Sequence, residues 1–293
     1  MATSADAPGA RFRAALSQGC VAIPGVFNAL AARMAERAGF QALYQSGAVL
    51  SAGLSGVPDV GLVTQTEFAD QARYLTQAVS VPIISDADTG FGEALSVERT
   101  VHLFEQAGLA GLHLEDQELP KRCGHLSGKN LVSREAMVVK IRAACAARRD
   151  ASFVIIARTD ARAVQGFDDA LDRARAYLDA GADMIFPEAL ETAAEFESFA
   201  REISVPLIAN MTEFGKSPLL TVPQLAGMGY RGVLFPVTIF RTAMKAVESA
   251  LGWLAAEGTQ AGFLDAMQTR AALYDLLGYA DFDERDQRYF GGK

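Results

Sequence analysis

Short apolar runs recur along the chain, each preceded by a helix-length amphipathic stretch and a glycine. Ala38-Gly39 leads to Ala42-Leu43-Tyr44-Gln45-Ser46, and Ala107-Gly108 to Gly111-Leu112-His113-Leu114-Glu115-Asp116. Ala180-Gly181 leads to Asp183-Met184-Ile185-Phe186-Pro187-Glu188, and Met228-Gly229 to Gly232-Val233-Leu234-Phe235-Pro236. A glycine there suits the left-handed residue that ends a helix. Further β-rich runs cover 81–86, 153–158, 205–210 and 21–24, which makes eight short strands. Helical patterns fall between them at 28–38, 66–79, 95–107, 134–148, 168–180, 192–201, 222–228 and 237–256. The strand runs are too apolar for a sheet with one wet face, so they predict a parallel sheet covered by helices. Eight such units in under ~300 residues predict an α/β fold of the (β/α)8 TIM-barrel type. We expect one domain over 1–293, with loose tails at about 1–10 and 280–293 and an extra C-terminal helix over 263–277.

Composition narrows the class. The 293 residues are 50% hydrophobic and 21% charged, with 26 glycines and 10 prolines, as in ordinary globular domains. The net charge of −8 argues against a nucleic-acid surface but not against a small anionic substrate, since a local arginine cluster can outweigh the global sign. No run offers the ~18 apolar residues of a membrane span. The N-terminus lacks the apolar core of a signal peptide. Cys20, Cys123 and Cys145 are odd in number and lack metal or redox spacing, so a reducing, cytoplasmic setting is expected.

In a parallel barrel the chemistry gathers at the C-terminal strand ends. Ser46, Asp86, Asp88, Glu115, Asp116, Arg158, Asp160, Glu188 and Asn210 fall there. Asp86-Ala87-Asp88-Thr89-Gly90-Phe91-Gly92 offers two hard oxygen ligands before a Gly-rich turn, which suits Mg²⁺ or Mn²⁺. The same spacing also suits an Asx turn before a helix, and Glu115 and Asp116 on the next strand tilt the balance toward metal. The connection 117–132 is long enough for a lid or binding loop. It carries Lys121-Arg122-Cys123-Gly124-His125, where neighbouring cations should lower the thiol pKa and make Cys123 a nucleophile or a proton donor. Cys20 and Cys145 read as packing residues. His102 should face solvent, and His113, sharing strand parity with Glu115, should point into the barrel. P-loop, dinucleotide, nucleophile-elbow and zinc-helix motifs are missing.

Lys121-Arg122-Cys123-Gly124-His125 resembles the signature loop of the isocitrate lyase and phosphoenolpyruvate mutase superfamily, in its lyase branch. The resemblance continues through Tyr44–Gly47, Asp86–Gly92, Leu114–Gln117, 157–161, 186–188, 210–215, 235–241 and 267–274. It implies a barrel whose last helix swaps between subunits of a homo-oligomer, usually a tetramer. It implies Mg-assisted carbon–carbon lysis of a 2-hydroxy di- or tricarboxylate by a retro-Claisen-type step. Asp86 and Asp88 would hold Mg²⁺ (or Mn²⁺), largely through waters, with Glu115 nearby. Ser46, Gly47 and Ala48 would cradle a carboxylate, and Arg158 would reach the 2-hydroxy-acid end. Glu188, Asn210, Thr212, Arg241 and Arg270 would bind the remaining carboxylates, with Gly124 and Met211 beside them. Cys123 would be the catalytic acid, with His125 next in line. Tyr44 is a candidate to take the hydroxyl proton, assisted by Arg158. Lyases for isocitrate, 2,3-dimethylmalate or oxaloacetate are alternatives, because one methyl group changes binding by only ~1–3 kcal/mol. A phosphonate mutase fits less well, because its branch has a different loop.

Overall fold

The computed structural model describes residues 6–126 and 128–291. Eight parallel strands form the frame: β1 (Val21–Pro24), β2 (Leu43–Gln45), β3 (Ile83–Asp86), β4 (Gly111–Glu115), β5 (Val154–Thr159), β6 (Met184–Pro187), β7 (Ile208–Asn210) and β8 (Gly232–Phe235). Ladders join β2 through β6 in order and β7 to β8 to β1. Single bridges at Gly25–Tyr44 and Ile185–Leu207 close the two gaps, so the sheet is a ring in sequence order. The predicted α/β barrel is therefore the fold.

The helices are α1 (Pro8–Gln18), α2 (Ala29–Arg37), α3 (Gly47–Leu50), α4 (Gln65–Ala78), α5 (Ala94–Gln106), α6 (Arg134–Ala147), α7 (Phe167–Asp179), α8 (Ala193–Glu202), α9 (Val222–Met228), α10 (Thr238–Glu257), α11 (Arg270–Leu277) and α12 (Tyr279–Phe290). Their starts are written locally. Asn28, Ser46, Thr64, Ser133, Thr192 and Thr221 each accept a backbone N–H of the following turn, which satisfies donors that a helix start leaves unpaired.

Strand alternation sorts the side chains into two cores. One face of the strands packs on the helices, with Leu43, Ile83, Leu112, Leu114, Ile155, Ala157 and Ile185 buried against Phe68, Val101, Phe104, Ile141 and Phe196. The other face fills the barrel, with Val21, Ile23, Ile84, Val154, Ile156, Met184, Ile208 and Leu234. Phe12 and Leu16 of α1 join this inner layer. Arg13 of α1 adds an ion pair to Asp183 at 2.9 Å and a hydrogen bond to the Ser152 carbonyl.

Three expectations differ from what is found. The N-terminal tail is short: Pro8, Gly9 and Ala10 already belong to α1, because Phe12 and Leu16 supply an apolar stripe that the barrel buries. Likewise 280–290 lies within α12. The outermost parts of both expected tails, 1–5 and 292–293, lie outside the described residues. The expected helix over 263–277 is divided, with a 3-10 turn at Ala261–Ala266, an extended Met267 and a new start where Thr269 accepts the Ala272 N–H. In place of one unit the chain forms two compact ones, ending and beginning at Phe240 and Arg241. In the second unit α11 and α12 bury no residue, so they add little to a core of their own.

Candidate active site

Inward parity places the site. Tyr44 follows Ala42 on β2, Asp86 follows Ile84 on β3, and His113 and Glu115 follow Gly111 on β4. Arg158 follows Ile156 on β5, Glu188 lies one step beyond Phe186 on β6, and Asn210 follows Ile208 on β7. Each is buried, and each tops a column of the inner layer. Register then sets the pairs: Asp86 lies opposite His113, and Glu115 opposite Arg158.

Arg158 is the centre of the rim. Its Nε donates to Asp160 Oδ2 at 2.9 Å and lies 3.4 Å from Glu115 Oε2, while Nη1 is 3.7 Å from Glu188 Oε2. Its guanidinium also sits 5.1 Å from the centre of the Phe186 ring, a cation–π contact. Glu188 accepts from Asn210 Nδ2 at 3.2 Å and lies 3.0 Å from His125 Nε2. Burial opposes its ionisation, but Arg158 and the His125 hydrogen bond hold it at about 2. The Lys216 backbone N–H donates to His125 Nδ1 at 2.9 Å, so in the neutral ring the proton stands on Nε2, facing Glu188. Nδ1 of His125 is thus hydrogen-bonded, while Nε2 lies within ion-pair distance of Glu188.

Asp86, Asp88 and Glu115 share the rim, and each feels the Lys121 charge. Asp86 Oδ1 accepts the Asp88 N–H at 3.0 Å, and Oδ2 accepts the Gly47 N–H at 3.2 Å. A Cβ on Gly47 would stand 2.8 Å from that oxygen, so the close approach needs glycine. Asp88 has φ of 45°, in the left-handed region that Asp tolerates better than most residues. Burial and the neighbouring Asp86 and Asp59 charges push Asp88 up to about 7 against Lys121, and burial pushes Glu115 well above the usual carboxylate range. Burial also opposes ionisation of Asp86, but His113, Lys121 and Arg158 outweigh it and leave it at about 2. Burial holds His113 down at about 4, so the ring is neutral at pH 7, and its Nε2 lies 2.8 Å from the Tyr44 hydroxyl. Burial and the Asp86 charge raise Tyr44 well above 10, so its phenol stays protonated and donates.

Among the described residues no group of three or more His, Cys, Asp and Glu is arranged to hold a metal ion by itself. A hard divalent cation nonetheless fits. The donors are all oxygen, they are buried, and Glu115 Oε1 has no hydrogen-bond partner. A site with few protein ligands keeps positions for waters and substrate oxygens, as Mg²⁺ prefers.

Described residues of the 117–132 connection reach this rim. Lys121, 2% exposed, reaches Asp59 and Asp88, at 2.6 Å each. Gly124 is buried so tightly that a Cβ would stand 2.4 Å from Arg158 Nη2 and 2.3 Å from Glu188 Oε1. Cys123 is half-buried beside them. Here the structure corrects the expected thiol: burial, with Glu188 adding to it, raises the Cys123 pKa instead of lowering it, because desolvation outweighs the nearby Arg158.

Some other expected residues act elsewhere. Asp116 has outward parity and accepts from Thr159 Oγ1, Tyr177 Oη and Arg173 Nη1 at 2.8, 2.8 and 3.2 Å, so it braces β4 against β5 and α7. His102 does not simply face solvent, since its Nε2 lies 2.9 Å from the Ala147 carbonyl at the end of α6. Ser46 caps α3, which brings Gly47 and Ala48 to the rim at a helix start. Met211 is buried and Thr212 half-buried just past β7. Arg241 lies in α10 and Arg270 opens α11, both in the second unit. Asp59 and Lys129 were not singled out from sequence, because neither belongs to a motif or a strand end. Only their ion pairs, Asp59 with Lys121 and Lys129 with Asp160, mark them.

A parallel barrel whose rim joins a buried arginine to carboxylates, reached by a cysteine-bearing loop, defines an enzyme for small anionic substrates. Residues 12–254 match the family model described as phosphoenolpyruvate phosphomutase. A 2-methylisocitrate lyase from Aeropyrum pernix is 54% identical over 266 residues, covering 91% of this chain and 85% of that one. A solved oxaloacetate acetylhydrolase with 3,3-difluorooxalacetate superimposes with a TM-score of 0.91 at 36% identity, covering 98% of each chain. A phosphonopyruvate hydrolase solved with oxalate and Mg²⁺ gives 0.87 at 32%, covering 97% and 99%. The chain belongs to the phosphoenolpyruvate phosphomutase family, and the superfamily resemblance read from its loop holds. Among the described residues no helix is long and apolar enough to cross a membrane.

Proposed function

We propose that the protein is a carbon–carbon lyase that cleaves 2-methylisocitrate to pyruvate and succinate. The observation that carries this reading is the Cys123 thiol, kept protonated by burial and held beside Arg158 on a rim otherwise built from carboxylates and hydrogen-bond donors. The 54% identity to a 2-methylisocitrate lyase supports the choice of substrate.

The substrate hydroxyl loses its proton, the adjacent carbon–carbon bond breaks, and the oxygen becomes the keto group of pyruvate. The bonding electrons leave on the second fragment as the enediolate of succinate, which takes a proton from Cys123. Arg158 faces the 2-hydroxy-acid end, while Ser46, Gly47 and Ala48 offer hydroxyl and helix-start N–H donors to a carboxylate. Glu188, Asn210, Met211, Thr212 and Gly124 complete the pocket in this barrel. Protonated Tyr44, 2.8 Å from neutral His113, offers a hydrogen bond to the alkoxide that forms, and the Arg158 charge favours that anion. Asp86 and Asp88, with Glu115 nearby, would hold Mg²⁺ (or Mn²⁺), which as a Lewis acid polarises the α-hydroxycarboxylate. Burial keeps these donors preorganised and water excluded.

The same reading extends to assembly and location. Val247, Leu251, Trp253, Leu254, Leu264 and Met267 of the second unit are exposed apolar residues, which supports association into a homo-oligomer, a tetramer with a swapped C-terminal helix. Three unbridged cysteines support a reducing cytoplasm.

The test is a coupled assay of the purified protein on 2-methylisocitrate, isocitrate, 2,3-dimethylmalate and oxaloacetate. Pyruvate release from 2-methylisocitrate should dominate with Mg²⁺ and stop in excess chelator. Faster glyoxylate release from isocitrate, or full turnover in chelator, overturns the reading.

A further inference from the structure

We propose that Lys129 is a positioning residue that fastens the loop carrying Cys123 to the carboxylate that aims Arg158. A lysine ammonium is rarely buried without partners, and the Lys129 side chain is 1% exposed. Its Nζ donates to Asp160 Oδ1 at 2.7 Å and to the Gly124 carbonyl. Asp160 is shared: the same carboxylate accepts Arg158 Nε at 2.9 Å and Nη2 at 3.2 Å, and the Asp160 N–H donates to Asp116 Oδ1. Gly124 in turn rests directly on the Arg158–Glu188 pair. One ammonium therefore ties the residue after Cys123 to the group that orients Arg158.

The consequence is mechanical. When the loop lifts, Lys129 leaves Asp160, and Asp160 loses one of the two cations that face it. When the loop lies down, thiol and guanidinium are set together. Two other side chains of this loop pair with different carboxylates, Lys121 with Asp59 and Asp88 and His125 with Glu188. Lys121 and His125 thus hold the loop to other parts of the rim, and Lys129 links it to the Arg158 support.

The inference rests on the proposed role of Arg158, so its test includes a readout that needs no substrate. In the full-length protein with Mg²⁺, Lys129→Met and Lys129→Arg are compared for kcat and KM on 2-methylisocitrate. The alkylation rate of Cys123 is followed in parallel by mass spectrometry of its peptide. Lys129→Met should lower kcat on the order of 10²-fold, as expected when reacting groups are misplaced by about 1 Å. It should also speed Cys123 alkylation by about tenfold or more, because the loop opens more often. Lys129→Arg should recover most of both, since a guanidinium still pairs with Asp160. If Lys129→Met does not fold, Lys129→Gln is read in its place. Wild-type alkylation in the neutral variant overturns the proposal whatever its kcat, and so does an Arg variant as open as the neutral one. If no variant and no wild type turns over 2-methylisocitrate, the lyase reading fails while the alkylation result still decides the role of Lys129.

Discussion

At the scale of single residues, Cys123 carries the sharpest expectation. A thiol has a reference pKa of ~8.5, far below that of a serine hydroxyl, and burial here keeps the thiol protonated rather than ionised. That is the state a proton donor needs and a nucleophile does not. Cys123→Ser should therefore lose ~10²–10⁴-fold in kcat, the usual contribution of general acid catalysis, with KM much less changed. Steady-state kinetics with 2-methylisocitrate reads both, and a variant keeping more than about a tenth of wild-type kcat leaves no acid of that strength at this position. The surroundings also explain why the loop's cations mislead when read from sequence. Lys121 turns to Asp59 and Asp88, and Lys129 to Asp160, so neither charge is available to the sulfur.

At the scale of elements, α1 shows how a segment that reads as a tail becomes part of the barrel. Phe12 is fully buried among Val21, Ile23, Val154 and Met184 on the inner face. Phe12→Ala should cost about 3–5 kcal/mol, the range for truncating a buried aromatic, seen as a lower denaturation midpoint with an unchanged slope. The active-site rim is at the other end of the strands, so kcat should hold wherever the variant remains folded. Strand alternation does the opposite service at the rim: period 2 sends Glu115 inward and Asp116 outward, which is why two adjacent acids have unrelated roles. The helices between the strands were legible in the sequence because their patterns are local, whereas α1 was not, because its stripe is short and its partner layer comes from strands far along the chain.

At the scale of the whole molecule, the second unit sets the remaining question. It exposes Trp253 and Leu254 of α10 and Leu264 and Met267 of the segment that follows, and α11 and α12 bury no residue. Large apolar surface of this kind marks an association site. Light scattering should give a stable oligomer, a tetramer, at about micromolar concentration, as for obligate assemblies whose fold and association are linked. Truncation after Phe240 should yield a monomer. A full-length monomer at that concentration removes the assembly reading without touching the barrel.

The sequence by itself determined the barrel, because short apolar runs and helix stripes are local and alternate through eight units, four of them marked by a glycine stop. It also determined the identity of the loop motif and the acids, arginine and amide at the strand ends. Only the tertiary structure decided which of those groups meet. Asp59 and Lys129 acquire roles only when residues far apart in the chain are brought within hydrogen-bond distance. The protonation state of Cys123 was decided there too. Charge signs are visible in a sequence, but the pairing that occupies a charge and the burial that outweighs it arise only when the chain is folded.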